Sequence, residues 1–595
     1  MELWLNYVDQ ILLYATLALS LNLLLGYAGQ VSVAHAAFAA VGGYTMGYMA
    51  LNYHWNFLAG TLLGMVFAFI LGGLVALPAL KLSVEYLILL TLAISSVIIG
   101  VFTTFPELGG TYGLIGLPQS DIFGWSFQNP RDWVIPSLVA MLAVYGFCHR
   151  LGESAFGRVL KGLREDPLAT QALGKNVFAY KVGTFAITSA LAGLAGGLLA
   201  AWFQLATPGV FGFAFSLTIF AVVIFGGMAN LTGTVVGATV VVLLDPLLRR
   251  AVKLEASTAS LVQLVVYGLA LVVLMMLRPQ RALPEGFSVL RRITKGRSPE
   301  TRIEMLDDWE PTPHLAVHQP GAGLSDDAEV ARELVRERVW QEAPIVLQTH
   351  GVSKRFGGIV AADDLDIELR KGTITALVGP NGAGKTTVFN LLTGFIPPDS
   401  GSVLLNGVEL VGQNPDKVAR MGLVRSFQDV RLMHRLSCLQ NVMLAVQQQA
   451  GENIGKLLFG GRAARRSEVE TRDKAMEWLR FVGMEDFANI PAGALSYGQS
   501  KLLSLSRALA TEADVLLLDE PASGIDIHWV DTMLDLVEAV REQGRTVCIV
   551  EHNLHVVSRL ADHTYFMELG RITAQGTIDE LSNSPRLAEA YFGTA

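Results

Sequence analysis

Apolar runs, most of them long enough to cross a bilayer, follow one another from the start of the chain to about residue 277 and then stop. They lie near 6–26, 31–50, 57–79, 84–104, 132–148, 180–203, 214–227, 232–248 and 261–277, and they predict about nine membrane-spanning helices over residues 1–281. After Arg281 the pattern breaks. RRITKGRSPETRIEMLDDWEPTPHLAVHQPGAGLSDD mixes charge, Pro and Gly with no sustained period, so 282–344 reads as a tethering linker. Within it, Ser325 is placed to cap a helix from Asp326 to Trp340. From 345 to 595 short strand-like runs (TITALV at 373–378, DVLLLD at 514–519, VCIV at 547–550) alternate with helical stretches. The fold class expected is therefore an α-helical polytopic membrane domain followed by an α/β domain with a helical subdomain.

Composition sharpens the first part of this reading. Hydrophobic residues make up 51% of the 595 and charged residues 16%, against a usual quarter. About a fifth of the charges fall before residue 278, which excludes a soluble all-helical domain there. A net charge of −8 gives no reason to invoke nucleic acid. Cys148, Cys438 and Cys548 are too scattered for a disulfide or metal framework and read as reduced thiols. The start has no cleavable signal pattern, so the first span is expected to serve as its own insertion signal.

Basic residues orient the spans. Arg150, Arg158, Lys161, Arg164, Lys175 and Lys181 crowd the stretch 149–181, which should face the cytoplasm, whereas 103–132 holds only Arg131 and should face the other side. Counting spans puts the N-terminus outside and Arg278 inside; Arg249, Arg250 and Lys253 then fall outside, against the rule. The cytoplasmic stretch SAFGRVLKGLREDPLATQALGKN predicts two short helices broken at Pro167 and ended by Gly174, placed to dock on the α/β domain. His35, inside the second apolar run, lines a pathway or bonds a neighbouring helix. The glycine-broken pieces 109–118 and 225–237 are candidate half-helices.

The chemistry is carried by GPNGAGKTT, Gly379 to Thr387. It fits the phosphate-binding G-x-x-x-x-G-K-[ST] pattern and sits between a strand-like run and a helical one, as that motif requires. Gly379, Pro380, Asn381, Gly382, Ala383 and Gly384 curl the backbone so that its N–H groups surround an anion, beside a helix N-terminus. Lys385 reaches the β- and γ-phosphates of ATP, Thr386 holds Mg²⁺, and Thr387 continues the cradle. Other pieces follow in a fixed order. Phe356 is placed to stack on adenine, and Gln428 in RSFQD to touch Mg²⁺ and the attacking water. Ser496 and Gly498 of LSYGQ open a helix and offer a hydroxyl and N–H groups to phosphate. Asp519 ends a buried strand on the metal, with Glu520 beside the water. Asp526 lies near a subunit junction, and His552 reaches the γ-phosphate. The basic tract GRAARR, 461–466, reads as a solvated loop.

Two resemblances follow from these stretches. LNLLLGYAGQVSVAHAAFAAVGGY, FGRVLKGLREDPLATQALGKN with ALAGLAGGLLA, and VVIFGGMANLTGTVVGA resemble the LivM-type permease of branched-chain amino-acid importers over most of residues 10–280. The order of motifs over 345–595 resembles the ATP-binding-cassette (ABC) ATPase, and LSYGQ, RSFQDVRL, QNVMLA and VEHNLH look like its LivG-type branch. ASGIDIHWV departs from the usual stretch after DEP. The resemblance implies a fused permease and ATPase subunit in a bacterial inner membrane, with the ATPase cytoplasmic. It also implies a periplasmic substrate-binding protein, a second permease and a second ATPase, each a different chain, although a homodimer also satisfies the geometry. In the family the residues matching Ser496 and Gly498 complete the site of the opposite ATPase. Leucine, isoleucine or valine is the implied cargo; urea, amides and aromatic acids stay open. An exporter half-transporter has a similar domain order but extends long charged helices between its spans, and this sequence has none. A soluble mechanical ATPase is at odds with the spans.

Overall fold

The computed structural model describes residues 2–79, 84–119, 121–122, 125–127, 129–252 and 338–582, with Val262, Val265, Gly268, Leu269 and Arg336 besides. The apolar segment 261–277, the helix expected from Asp326, Lys253 and Arg278 fall wholly or largely outside the described residues. The chain divides into two units, Met1–Arg164 with Val177–Arg297, and Glu165–Asn176 with Ser298–Ala595.

In the first unit, eight of the nine expected apolar segments are helices: α1 Glu2–Asn22, α2 His35–Tyr53, α3 Phe57–Ala79, α4 Val84–Thr104, α5 Pro130–Gly152, then, beyond α6 (Ala155–Glu165) and α7 (Pro167–Ala172), α8 Val177–Phe203, α9 Phe213–Gly226 and α10 Leu231–Val252. Among the described residues, five helical stretches are long and apolar enough to cross a membrane: Trp4–Tyr27, Phe57–Pro78, Glu85–Thr104, Pro130–Gly152 and Val177–Phe203. Without a hydrophobic drive between helices in lipid, close contact has to come from small residues. α2 and α8 meet in that way: a Cβ on Gly42 would lie 1.9 Å from Gly193 O, and one on Gly196 1.8 Å from Ala39 O.

Three details differ from the sequence reading. The second apolar run starts its helix at His35, because residues 28–34 leave the helix through Gly29 (φ +67°) and Gln30 N bonds back to Leu24 O at 3.1 Å. His35 is thus the first residue of α2, where its Nε2 sits 2.9 Å from Ser20 Oγ. The stretch 109–118 is no half-helix. Its glycines 109, 110, 113 and 116 all take positive φ, and Leu114–Ile115 pairs antiparallel with Leu205–Ala206. In the second unit GRAARR lies in an exposed helix, Gly461–Phe481, instead of a loop; Ala and Arg are strong helix formers, and no Pro or further Gly interrupts them.

The second unit is built on a six-stranded sheet in the order Leu423–Arg425, Val515–Asp519, Thr546–Val550, Ile374–Val378, His563–Glu568 and Arg571–Gly576. The first five strands run parallel and the last antiparallel. Strands buried on both faces read as continuous apolar runs, and Ile374–Val378, Val515–Asp519 and Thr546–Val550 are buried throughout. An antiparallel sheet contributes Leu347, Val403 and Leu405 to the same core.

The described end of the linker is anchored on this unit and is more than a tether. Trp340 stacks on His563 with ring centroids 3.8 Å apart, and the Arg370 guanidinium lies 4.3 Å from the Trp340 ring. Arg336 donates to Ser558 O (3.2 Å) and Arg559 O (2.6 Å), closing the end of the helix Leu554–Leu560. Burial, then the neighbouring Arg370 charge, pushes the His563 pKa down to about 4. The unfolded chain therefore binds a proton that the native state refuses. The neutral ring's contribution is fully present above pH 6.5 and is lost as the pH falls towards about 4. Thermal melts of the chain should lose stability across that window, and His563→Phe, which keeps the stack, should flatten the slope. An unchanged slope would remove His563 as its source.

Candidate functional site

The P-loop strand Ile374–Val378 delivers the chain to Gly379, and the helix Lys385–Leu392 leaves from Gly384. Two glycines are obligatory here. Gly379 (φ +153°) would place a Cβ 2.1 Å from Met567 O, and Gly384 (φ +106°) one 2.2 Å from Ala361 O. Lys385 is buried and donates to Gly379 O (2.6 Å) and Pro380 O (3.0 Å), so its ammonium lies folded into the loop. Burial lowers its pKa, while Glu520 and Asp519 pull it back up.

Neighbouring parallel strands carry the remaining polar groups to the same sheet edge. Asp519 ends its strand buried, with Oδ2 lacking any hydrogen bond and Arg425 Nη2 3.6 Å away. Burial raises its pKa to about 6 against the pull of Arg425. Asp519 Oδ2, a buried carboxylate oxygen without a hydrogen-bond donor, has the chemistry of a Mg²⁺ ligand. Glu520 adopts φ +48°, a left-handed conformation that costs a non-glycine residue about 1–3 kcal/mol and clusters at functional sites. It is held there by Glu520 N donating to Val550 O (2.9 Å) and by Lys501 Nζ donating to Glu520 O (2.8 Å). Its carboxylate lies between Gln428 Nε2 (3.1 Å) and His552 Nδ1 (3.5 Å). Gln428, Glu520 and His552, about 120 residues apart in sequence, therefore form one cluster.

The other expected residues lie apart from it. Phe356 ends the strand Ile345–Phe356 with its ring exposed, as a stacking platform requires. Ser496 caps the helix Tyr497–Leu509, accepting from Gln499 N at 3.3 Å while Gln499 Oε1 accepts from Ser496 N. A Cβ on Gly498 would lie 3.1 Å from Trp529, and one on Gly524 3.1 Å from Tyr497, so the LSYGQ turn packs against the segment that carries Asp526. Among the described residues no hydrogen bond or ion pair joins Ser496, Gly498 or Asp526 to residues 379–387.

Sequence reasoning passed over three supporting groups. Lys501 bridges the carbonyls of Gln428 (3.4 Å) and Glu520. Arg425 sits beside Phe427 (4.6 Å to the ring) and donates to Asn390 Oδ1. Glu551 accepts from Ala522 N at 3.1 Å. A lysine among Leu502, Leu503 and Leu505 on a buried helix face was the one legible signal.

The second unit also includes 165–176. Asp166 caps α7 by accepting from Ala169 N (2.9 Å) and pairs with Arg431 Nη1 at 3.1 Å. Arg431 in turn lies 4.9 Å from the Phe427 ring, next to Gln428. Arg435 N donates to Glu165 (3.2 Å), and Gln447 Nε2 to Leu173 O (2.7 Å). Lys175 Nζ, fully buried, pairs with Glu452 (2.5 Å) and donates to Val446 O (2.7 Å).

A phosphate loop at the sheet edge, strand-end carboxylates and a serine-capped LSYGQ helix define a P-loop ATPase of the cassette class. Residues 3–275 match the family described as the branched-chain amino acid transport system permease component, and 362–523 match the ABC transporter family. The high-affinity branched-chain amino acid transport ATP-binding protein BraF of Pseudomonas aeruginosa is 38% identical over 251 residues, 42% of this chain and 98% of that protein. The corresponding protein LivG of Salmonella typhimurium is 37% identical over 251 residues, again 42% of this chain and 98% of that protein. A crystal structure of a nucleotide-free ATP-binding cassette from an ABC transporter is 31% identical, covering 42% of this chain and 100% of that one, with a TM-score of 0.38. The chain belongs to the branched-chain amino acid ABC transporter family, as a permease region fused to an ATP-binding, ATP-hydrolysing cassette.

Proposed function

We propose that this chain is the fused permease and ATPase subunit of an importer that takes up branched-chain or related hydrophobic amino acids, small carboxylates or amides, across a bacterial inner membrane. The permease occupies 1–281, the linker 282–344 and the cytoplasmic cassette 345–595. The observation that carries this reading is that 165–176, a loop between spans of the permease, folds with the cassette through Asp166–Arg431 and Lys175–Glu452. The names of the relatives, all branched-chain amino acid transport proteins, support the cargo class.

In this reading the P-loop residues 379–387 cradle the ATP phosphates, Lys385 neutralises the β- and γ-oxygens, and Phe356 stacks on the base. Thr386, Asp519 and Gln428 would hold Mg²⁺, which would supply charge neutralisation at the phosphates. Glu520 orients and polarises the attacking water, and His552 contacts the γ-phosphate. Ser496, Gly498 and Asp526 serve the opposite ATPase across a head-to-tail pair, which buries the nucleotides from water. The partners are a second permease and a second ATPase on different chains, and a periplasmic binding protein that delivers the cargo.

Cysteines replacing Asp166 and Arg431 test the coupling. The native Cys148, Cys438 and Cys548 are all buried, so a short bis-maleimide should bridge the introduced pair alone. The bridge is expected to form in the assembled complex and to stop transport. Absence of a bridge in every nucleotide state would leave 165–176 a plain loop.

A further inference from the structure

Polar contacts in the first unit converge on the end of α1. Asn22 is fully buried, and its amide is used entirely on the break between α9 and α10. Nδ2 shares its hydrogens among Gly227 O (3.3 Å), Asn230 O (3.2 Å) and Thr234 Oγ1 (2.6 Å), and Oδ1 accepts from Ala229 N (2.8 Å). Asn22 thus satisfies Ala229 N at the break and adds a second donor to Gly227 O and Asn230 O, which already accept from Asn230 N and Thr234 N. The break is strained at Ala229, a non-glycine residue at φ +59°. Immediately after Asn22, α1 widens into a π-turn, Leu23–Tyr27, a feature frequent at functional sites. This turn seats Gly26 so tightly that a Cβ there would lie 2.1 Å from Asn22 Oδ1 and 2.3 Å from Ala229 N.

The carbonyl of Gly26 accepts from Arg164 Nη1. Arg164 also lies along Gly29, where a Cβ would come 2.7 Å from Arg164 Cγ. Arg164 is the last residue of the first unit before Glu165, where the stretch that folds with the cassette begins.

We propose that Arg164 is the positioning residue through which movement of 165–176 reaches the permease. It sets the π-turn at 23–27, and through Asn22 it sets the strained turn 227–230, which is the moving part of the membrane domain. This rests on the coupling role given above to 165–176, and it names the path that the motion takes inside the first unit. The link is the bond from Ala229 N to Asn22 Oδ1: a shift of Gly26 by Arg164 moves Asn22 with it and takes that bond out of register.

Met228, in the middle of that turn, is 42% exposed, so Met228→Cys can report on it by reaction with N-ethylmaleimide in the full complex. Labelling is compared without nucleotide and with ATP trapped by Glu520→Gln. With Arg164 present the rate is expected to differ about tenfold between the states, and with Arg164→Gln by less than about twofold, while ATP is still bound. Arg164→Lys, which keeps a donor for Gly26 O, should retain part of the difference. Full nucleotide dependence in Arg164→Gln, or none in the parent, overturns the proposal. Should Arg164→Gln fail to accumulate, Thr234→Val removes one Asn22 partner and leaves Arg164 in place; severalfold loss of the dependence supports the path, and no loss overturns it. Failure of the 166–431 bridge would instead overturn the coupling reading beneath it.

Discussion

Glu520→Gln is expected to leave ATP binding within a few-fold of the native level and to cut hydrolysis by about 10²–10³-fold. The amide is nearly isosteric and keeps a contact with Gln428, whose Nε2 lies 3.1 Å from the carboxylate, but it cannot take up the charge that develops on the attacking water. The left-handed backbone at Glu520 and its anchors on Val550 O and Lys501 do not depend on the side chain, so the fold should be unaffected. Lys385→Ala should act differently. It removes the ammonium from the phosphate loop and should weaken binding and hydrolysis together. Equilibrium binding of a fluorescent ATP analogue, with single-turnover hydrolysis in the assembled complex, separates the two. Near-native turnover in Glu520→Gln would remove it from the catalytic role.

The second large effect is expected at Lys175. Its ammonium is buried and held by Glu452 and Val446 O. Taking away one partner of a buried pair costs about 3–5 kcal/mol, and the partial exposure of Glu452 reduces this to about 2–3 kcal/mol. That loss falls on the docking of 165–176, not on the ATP site. Lys175→Met should therefore hydrolyse ATP within about twofold of native while cargo moved per ATP falls by about tenfold or more. Lys175→Arg, which keeps the charge, should recover part of it. The readout is the ratio of the two rates, and an unchanged ratio would contradict the role.

Most of the architecture was legible because it rests on local rules. Long apolar runs can only be spans or buried helices, so eight segments are helices, the second of them starting late at His35, and the P-loop strand and helix lie where the pattern puts them. Pro167 and Gly174 act on their own backbone, and α7 lies between them as expected. What escaped depends on distant partners. Nothing local to Trp340 announces that His563 and Arg370 stack on it, and nothing near Asn22 announces a turn more than 200 residues away. The helical start at His35 was missed because Val31–Ala34 continues the apolar run although its backbone does not continue the helix. Lys501 escaped for a related reason: its partners are backbone carbonyls, which carry no side-chain signature. Gln428, Glu520 and His552 are each singled out by motif order, but their meeting at one carboxylate belongs to the parallel strand order.

The most direct test of ATP-driven import is uptake of radiolabelled leucine into proteoliposomes that hold the complex purified from its native host. The periplasmic binding protein is supplied on one side and ATP on the side of the cassette. The account requires accumulation that depends on both, is almost abolished by Glu520→Gln and is reduced about tenfold by Lys175→Met. Leucine uptake that persists unchanged in Glu520→Gln, or movement of cargo only out of the cassette side, would contradict it.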